Sequence, residues 1–179
     1  MAATKIKQMW YWAGPIVPIR TALIAASQGI FMPGAPCYVS TSGTVKLADT
    51  CDGTGDVFHG FITGVVDKAK AWPLVAELAA NDEIRIGMIK TDTIFACYMT
   101  TGATDSPAAQ DNVGDSYGLT VSTTAGEIGY TTVNESNANT AVTVQNIASN
   151  VEPALYTTSD DPGVLLVTFL PANIDAVKA

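Results

Sequence analysis

The stretch that decides the fold runs from Phe58 to Thr100: FHGFITGVVDKAK (58–70), AWPLVAELAA (71–80), NDEIRIGMIK (81–90) and TDTIFACYMT (91–100). It holds three apolar runs of strand length, Phe61–Val66, Ile84–Lys90 and Ile94–Met99, each closed by Gly, Asn or Asp. Runs of this length, rich in Ile, Val, Phe and Thr and bounded by turn formers, read as β-strands. In the second run Ile84, Ile86 and Met88 share one face while Arg85 and Gly87 take the other, the period of two that a half-buried strand shows. The other two runs are apolar on both faces: Phe61 and Val65 against Ile62 and Val66, Ile94 and Tyr98 against Phe95 and Met99. Such strands need cover on both sides, from their own core or from a neighbouring subunit. This predicts a protein that assembles with its own kind.

Outward from this centre the chain keeps the same texture. Leu23-Ile24 reads as a short strand, and Cys37–Ser40 and Thr44–Leu47 as a hairpin around Ser42-Gly43. Asp49 to Asp56, DTCDGTGD, is acidic, but Cys51 and Gly53 stand where an EF-hand loop needs oxygen ligands, so it reads as a turn. Between Asp67 and Asp82 the Ala-rich segment suits one short helix with Pro73 near its first turn. Ser106 followed by Pro107 predicts an N-cap and a single helical turn before Val113. Tyr117–Ser122, Glu127–Val133 and Thr140–Gln145 read as strands between Thr/Ser/Asn-rich turns, and Val164–Leu170 as a closing strand. About ten short strands with at most two short helices predict an all-β barrel or sandwich.

The first 20 residues, MAATKIKQMWYWAGPIVPIR, cluster Trp10, Tyr11 and Trp12, and Pro15 and Pro18 enforce an extended path. Aromatics beside Lys5, Lys7 and Arg20 fit a segment that grips a partner. They also fit a plug for the open end of the chain's own barrel. The expected organisation is an extended basic and aromatic arm over 1–29 and a β-barrel domain over 30–179. Within that domain, core strands occupy 30–100 and a Thr/Ser/Asn-rich β extension with the closing strand occupies 101–179.

Composition narrows the function. Charged residues make up 15% of the 179, against about 25% in ordinary soluble domains. The surface therefore depends on Thr, Ser and Asn, or is hidden in contacts. Net charge is −8, but residues 1–48 hold four bases and no acid, so 49–179 carry −12. Four charges over 48 residues are thin for phosphate binding, and the acidic remainder repels DNA, so no direct nucleic-acid contact is expected. The three cysteines, Cys37, Cys51 and Cys97, form no CxxC pair and read as small buried apolar residues. No secretion signal is evident at the N-terminus, and no apolar run approaches the roughly 20 residues of a membrane span, so synthesis in a reducing cytoplasm and no membrane partner are expected.

Chemistry is sparse. The one histidine, His59, lies between Phe58 and Gly60 without a framed nucleophile. No HExxH, Walker loop, dinucleotide fingerprint or GxSxG elbow occurs. Carboxylate pairs such as Glu77 with Glu83 have nothing to bring them together in sequence. Neither a catalytic residue nor a cofactor or metal site is expected.

PGAPCYVSTSGTVKLA (33–48), then FHGFITGVVDKA, NDEIRIGMIK, VGDSYGLTV (113–121) and a last strand GVLLVTFLPA (163–172) are similar, in texture and order, to the small capsid decoration (cement) proteins of tailed bacteriophages. The resemblance spans roughly Ile30 to Leu170. It implies a β-barrel or β-tulip core that binds the outside of an icosahedral head and clamps neighbouring capsomers. Its implied partners are the major capsid protein and copies of itself, most often as trimers, and its implied location is the virion exterior. Such proteins have no enzymatic activity and need no cofactor. Under this reading Lys5, Lys7, Trp10, Tyr11, Trp12 and Arg20 are the candidate capsid contacts. The rival reading is a β-sandwich binding module for host-surface carbohydrate displayed on a virion, with Trp72, Tyr117 and Tyr130 as stacking faces.

Overall fold

The computed structural model describes residues 8–15, 19–24, 34–39, 44–47, 60–66, 81–122, 131–157 and 162–174. Twelve strands lie within them: β1 (Trp10–Ala13), β2 (Ile19–Leu23), β3 (Pro36–Val39), β4 (Val45–Leu47), β5 (Gly60–Val65), β6 (Glu83–Met88), β7 (Ile94–Thr101), β8 (Thr104–Asp105), β9 (Ser116–Val121), β10 (Thr131–Asn134), β11 (Val142–Ile147) and β12 (Val164–Phe169). One short helix, α1 (Ala148–Val151), and two 3-10 turns, Gln110–Asn112 and Pro171–Asn173, complete the described elements. The fold is all-β and barrel-like, as the sequence predicts.

β7 is the hub of the larger sheet. On one edge its residues Phe95–Tyr98 pair antiparallel with β12. On the other, Ile94–Ala96 pair with β1 and Tyr98–Thr100 pair parallel with β10, so β1 and β10 share that edge end to end. β10 continues through β9 and β11 to β12, which returns to β7 and closes a barrel. Closure satisfies the backbone of every strand in the ring without leaving an edge between them. The pleat then sorts β7 by face: Phe95, Cys97 and Met99 belong to the main core with Leu119, Val133, Val144, Leu165, Val167 and Phe169.

The smaller sheet runs β2-β6-β5-β3-β4. An isolated parallel bridge from Ile24 to Val45 draws its two ends together, making a half-closed barrel around Ile24, Cys37, Val45, Ile62, Ile84 and Ile86. The two faces of β5 now have separate uses. Ile62 fills the smaller core, while Phe61 enters the larger one and meets Phe95 edge-on at 5.0 Å, which in turn meets Phe169 at 5.5 Å. β6 makes room for this: a side chain at Gly87 would meet the Phe61 ring at 2.7 Å. The two-sided apolar character of β5 is thus covered within the chain, by a second core instead of a second subunit. The outer face of β7 is covered only in part within the chain: Ile94 and Tyr98 stay half-buried there.

Several expectations change. The extended path expected over 1–29 is present at β1 and β2, and both are paired into the chain's own sheets, one into each. Met9 is fully buried in the main core, and its carbonyl lies where a side chain of Gly34 would stand. Gly34 has φ +90°, a conformation that costs a glycine little, and its N–H donates to the Ile62 carbonyl. The helical turn expected from Ser106 begins instead after Ala109, because Ser106 is held extended: its N–H donates to Met99 O and its carbonyl accepts from Gly163 N. Asn112 caps that turn by accepting from Ala109 N at 2.7 Å. β11 runs later than Thr140–Gln145, since a bulge between Val144 and Asn146 shifts the register and returns Ile147 to the core. α1 follows at once. The helix expected between Asp67 and Asp82 falls almost wholly outside the described residues, as do the 49–56 loop, His59 and Cys51.

Candidate interaction surface

Two contrasting surfaces wrap the closed barrel. On the outside of β7 and β12 the pleat places Ile94, Ala96, Tyr98, Val164 and Leu166. β1 lies beside β7 and brings Trp10 opposite Ala96, and the bulge between Tyr11 and Ala13 re-aims the strand at its end. Trp10 packs on Tyr98 with ring centroids 5.6 Å apart, and Trp12 on Tyr156 at 6.0 Å, both tilted. α1 supplies Ala148 to the base of this group, and the turn after it delivers Tyr156, whose N–H donates to Glu152 O. The aromatics are half-buried, while Val151 at the end of α1 is 48% exposed and Leu155, next to Tyr156, 71%. Tyr11, opposite Phe95 and so on the other face of β1 from Trp10, is 42% exposed. Tyr11 is steadied by donating its hydroxyl to the Gly14 carbonyl at 3.0 Å.

On the far side of the barrel the outward positions of β9, β10 and β11 are polar without being charged. Ser116 and Thr143 hydroxyls lie 3.0 Å apart, Gln145 donates to Thr168 and Asn134 donates to Thr120. Asn134 also accepts from Gly102 N and Ser136 N, so the amide of the Asn134-Glu135-Ser136 sequon is committed on both its atoms. These strands spend their outward positions on Thr, Ser, Asn and Gln that bond to one another, which is how a chain with few charges keeps that surface wettable.

Of the residues singled out in sequence, Trp10 and Trp12 join Tyr98 and Tyr156 in one cluster, and Tyr11 alternates to the other face of β1, where it is exposed. Arg20 belongs to β2, at the exposed end of the smaller sheet. Lys5 and Lys7 lie outside the described residues, as do Trp72 and Tyr130. Tyr117 is no open stacking face: it packs half-buried against the main core, and its hydroxyl accepts from Asn112 and donates to Asp115. Tyr98, Leu155 and Tyr156 were not recognisable as site residues in sequence, because nothing local links 98 and 156 to the N-terminal aromatics. Tyr98 sits in a strand that reads as core, and Tyr156 in a turn.

No group of three or more His, Cys, Asp or Glu able to hold a metal occurs among the described residues. Cys37 and Cys97 are free thiols buried in the two cores, and burial pushes the Cys97 thiol up to about 12, so it is protonated at neutral pH. No described helix is long and apolar enough to cross a membrane. No protein-family model matches the chain, and no curated protein matches its sequence.

Proposed function

We propose that this protein is a capsid decoration protein of a tailed bacteriophage, one that binds the outer surface of an icosahedral head and cements neighbouring capsomers. It acts without catalysis, after synthesis in the host cytoplasm, and its partners are the major capsid protein and copies of itself in trimers. The observation that carries the reading is the aromatic face over β7, where Trp10, Trp12 and Tyr156 pack half-buried, with exposed Val151 and Leu155 on the helix and turn that lead to Tyr156. Rigid aromatics already held by packing lose little conformational freedom on docking, so their burial converts efficiently into affinity. Half-buried aromatic anchors with exposed apolar residues beside them have the composition of an interface centre. A further support is that the sequence segments resembling the decoration family fall on strands of both barrels: β3 and β4, β5, β6, β9 and β12.

Attachment repeated over a lattice gives each copy the benefit of its neighbours, so a modest contact holds a pressurised shell. Co-sedimentation with undecorated phage heads tests the reading. The intact protein is expected to pellet with heads. Leu155→Asp, at an exposed position where the fold tolerates charge, is expected to weaken pelleting at least tenfold, and Ser116→Lys on the polar side to leave it unchanged. A protein that stays in the supernatant at every concentration, or binds immobilised glycans instead, would overturn it.

A further inference from the structure

From Thr91 to Val177 the chain holds ten acids and not one Lys, Arg or His. Every strand of the larger sheet except β1 is drawn from that stretch, and β1 has no base either. The bases among the described residues, Arg20, Lys46, Arg85 and Lys90, belong to the smaller sheet or to the link from β6 to β7. The larger barrel therefore meets a partner with acids alone, and its potential favours a basic surface. Within that field the aromatic cluster has an acid of its own. Glu152 closes α1 as its C-cap and is exposed. Its carbonyl accepts from Leu155 N at 3.0 Å and Tyr156 N at 3.1 Å, a single turn that sets Glu152 beside Tyr156. Burial, then Tyr98 and the Glu152 carboxylate, push the Tyr156 hydroxyl up, so this ring is neutral at pH 7 and lies within the field of that carboxylate.

We propose that the aromatic face takes an arginine side chain from a basic surface of the partner protein, its guanidinium against Trp12 and Tyr156 and paired with Glu152. Trp12 tilts 56° to Tyr156 and Trp10 60° to Tyr98, so the rings are not stacked flat and their faces stand at angles to one another. Ring faces are electron-rich, and such faces beside a carboxylate suit a cation. α1 and the turn after it hold no base to neutralise Glu152. Arginine fits better than lysine, because a planar, weakly hydrated guanidinium stacks on a ring and donates to a carboxylate at once. Leu155 supplies apolar contact beside the site, which an acid at 155 forfeits. Nucleic acid is repelled by the same acids that draw a basic protein. The inference rests on the aromatic face being the docking surface, and adds what the partner presents there.

Two measurements on the full chain test this. In the first, a tri-arginine peptide and its neutral citrulline counterpart are titrated in while the indole NMR signals of Trp10 and Trp12 are followed. The arginine peptide is expected to shift them and the citrulline peptide to leave them in place. Glu152→Gln is expected to weaken arginine binding about threefold or more, and Asp115→Asn, an equal loss of charge just before β9, to leave it unchanged. Trp12→Leu keeps an apolar side chain without the ring, and is expected to weaken binding as Glu152→Gln does. Equal responses to the two peptides, or equal losses in the two charge variants, overturn the proposal. So does a response that appears only after Lys5 and Lys7 are replaced by Ala, the chain's own lysines then filling the site. The second measurement is pelleting with phage heads, which Glu152→Gln is expected to weaken in parallel. Undiminished pelleting of Glu152→Gln overturns the arginine contact and leaves head binding standing. Arginine-selective binding by a protein that ignores heads upholds the site and removes the phage reading.

Discussion

At the scale of single residues, the two buried thiols make the protein sensitive to base. Cys97 has no exposed surface, and its Sγ donates to the Thr131 carbonyl oxygen at 3.3 Å. Burial raises this thiol from an ordinary 9.0 to about 12, outweighing the backbone hydrogen bonds that lower it; Cys37 is raised by burial as well. Above pH 9 the unfolded chain releases a proton that the folded chain keeps. Stability from a neutral buried thiol is therefore complete below that pH and is lost as pH rises toward 12. Between pH 8.5 and 10.5 Cys97 alone is expected to account for a loss of about 2 kcal/mol. Urea unfolding of wild type and Cys97→Ala at both pH values checks this, since the variant starts lower but should lose less on going basic. Equal losses would remove Cys97 as the cause.

At the scale of elements, β1 shows what a strand contributes when its side chains cover a sheet from beside it. Trp10 sits against Tyr98 and over Ala96, so Trp10→Ala opens a gap on the outer face of β7. We expect it to lower stability by about 2 kcal/mol, less than for a fully buried aromatic because Trp10 is half-exposed. Thermal melting of the isolated protein reads this directly, and an unchanged Tm would mean that Trp10 is held for a partner alone. The sequence left these two roles of the N-terminal aromatics open, for a physical reason. Clustered Trp and Tyr with nearby prolines specify an extended apolar segment, but which sheet edge receives it depends on long-range register. By contrast β5, β6, β7, β9 and β12 were legible to within a residue or two, because period-two patterning and Gly or Asp boundaries are local. β11 was legible to the same two residues, but the bulge that carries it on to Ile147 is something no alternation reveals. The exposed strand β2 was legible only at Leu23, since its residues Ile19 to Ala22 do not alternate in hydrophobicity and follow Pro18.

At the scale of the whole molecule, the question raised by two-sided apolar strands is answered inside the chain. Phe61 and Ile62 point from one strand into two cores, so β5 is the shared wall of a closed and a half-closed barrel. Val121, at the end of β9, adds to the smaller core from the larger sheet. Low charge is then explained in part by burial in two cores and in part by uncharged polar outward positions on the barrel strands, and among the described residues the aromatic face is a surface open to partners. The shared wall also predicts how the protein unfolds. With Phe61 wedged against Phe95 in the larger core, opening either barrel strips the other of an aromatic contact, so the two should unfold as one unit. Cys37 reports the smaller core and Cys97 the larger. In wild type both thiols should become reactive toward a sulfhydryl reagent over the same range of denaturant. Phe61→Ala is expected to cost about 3–5 kcal/mol and to uncouple the pair, with Cys37 reacting at lower denaturant than Cys97. If the thiols still react together in the variant, Phe61 is not the link. If they already separate in wild type, the barrels are independent and the cooperative reading fails.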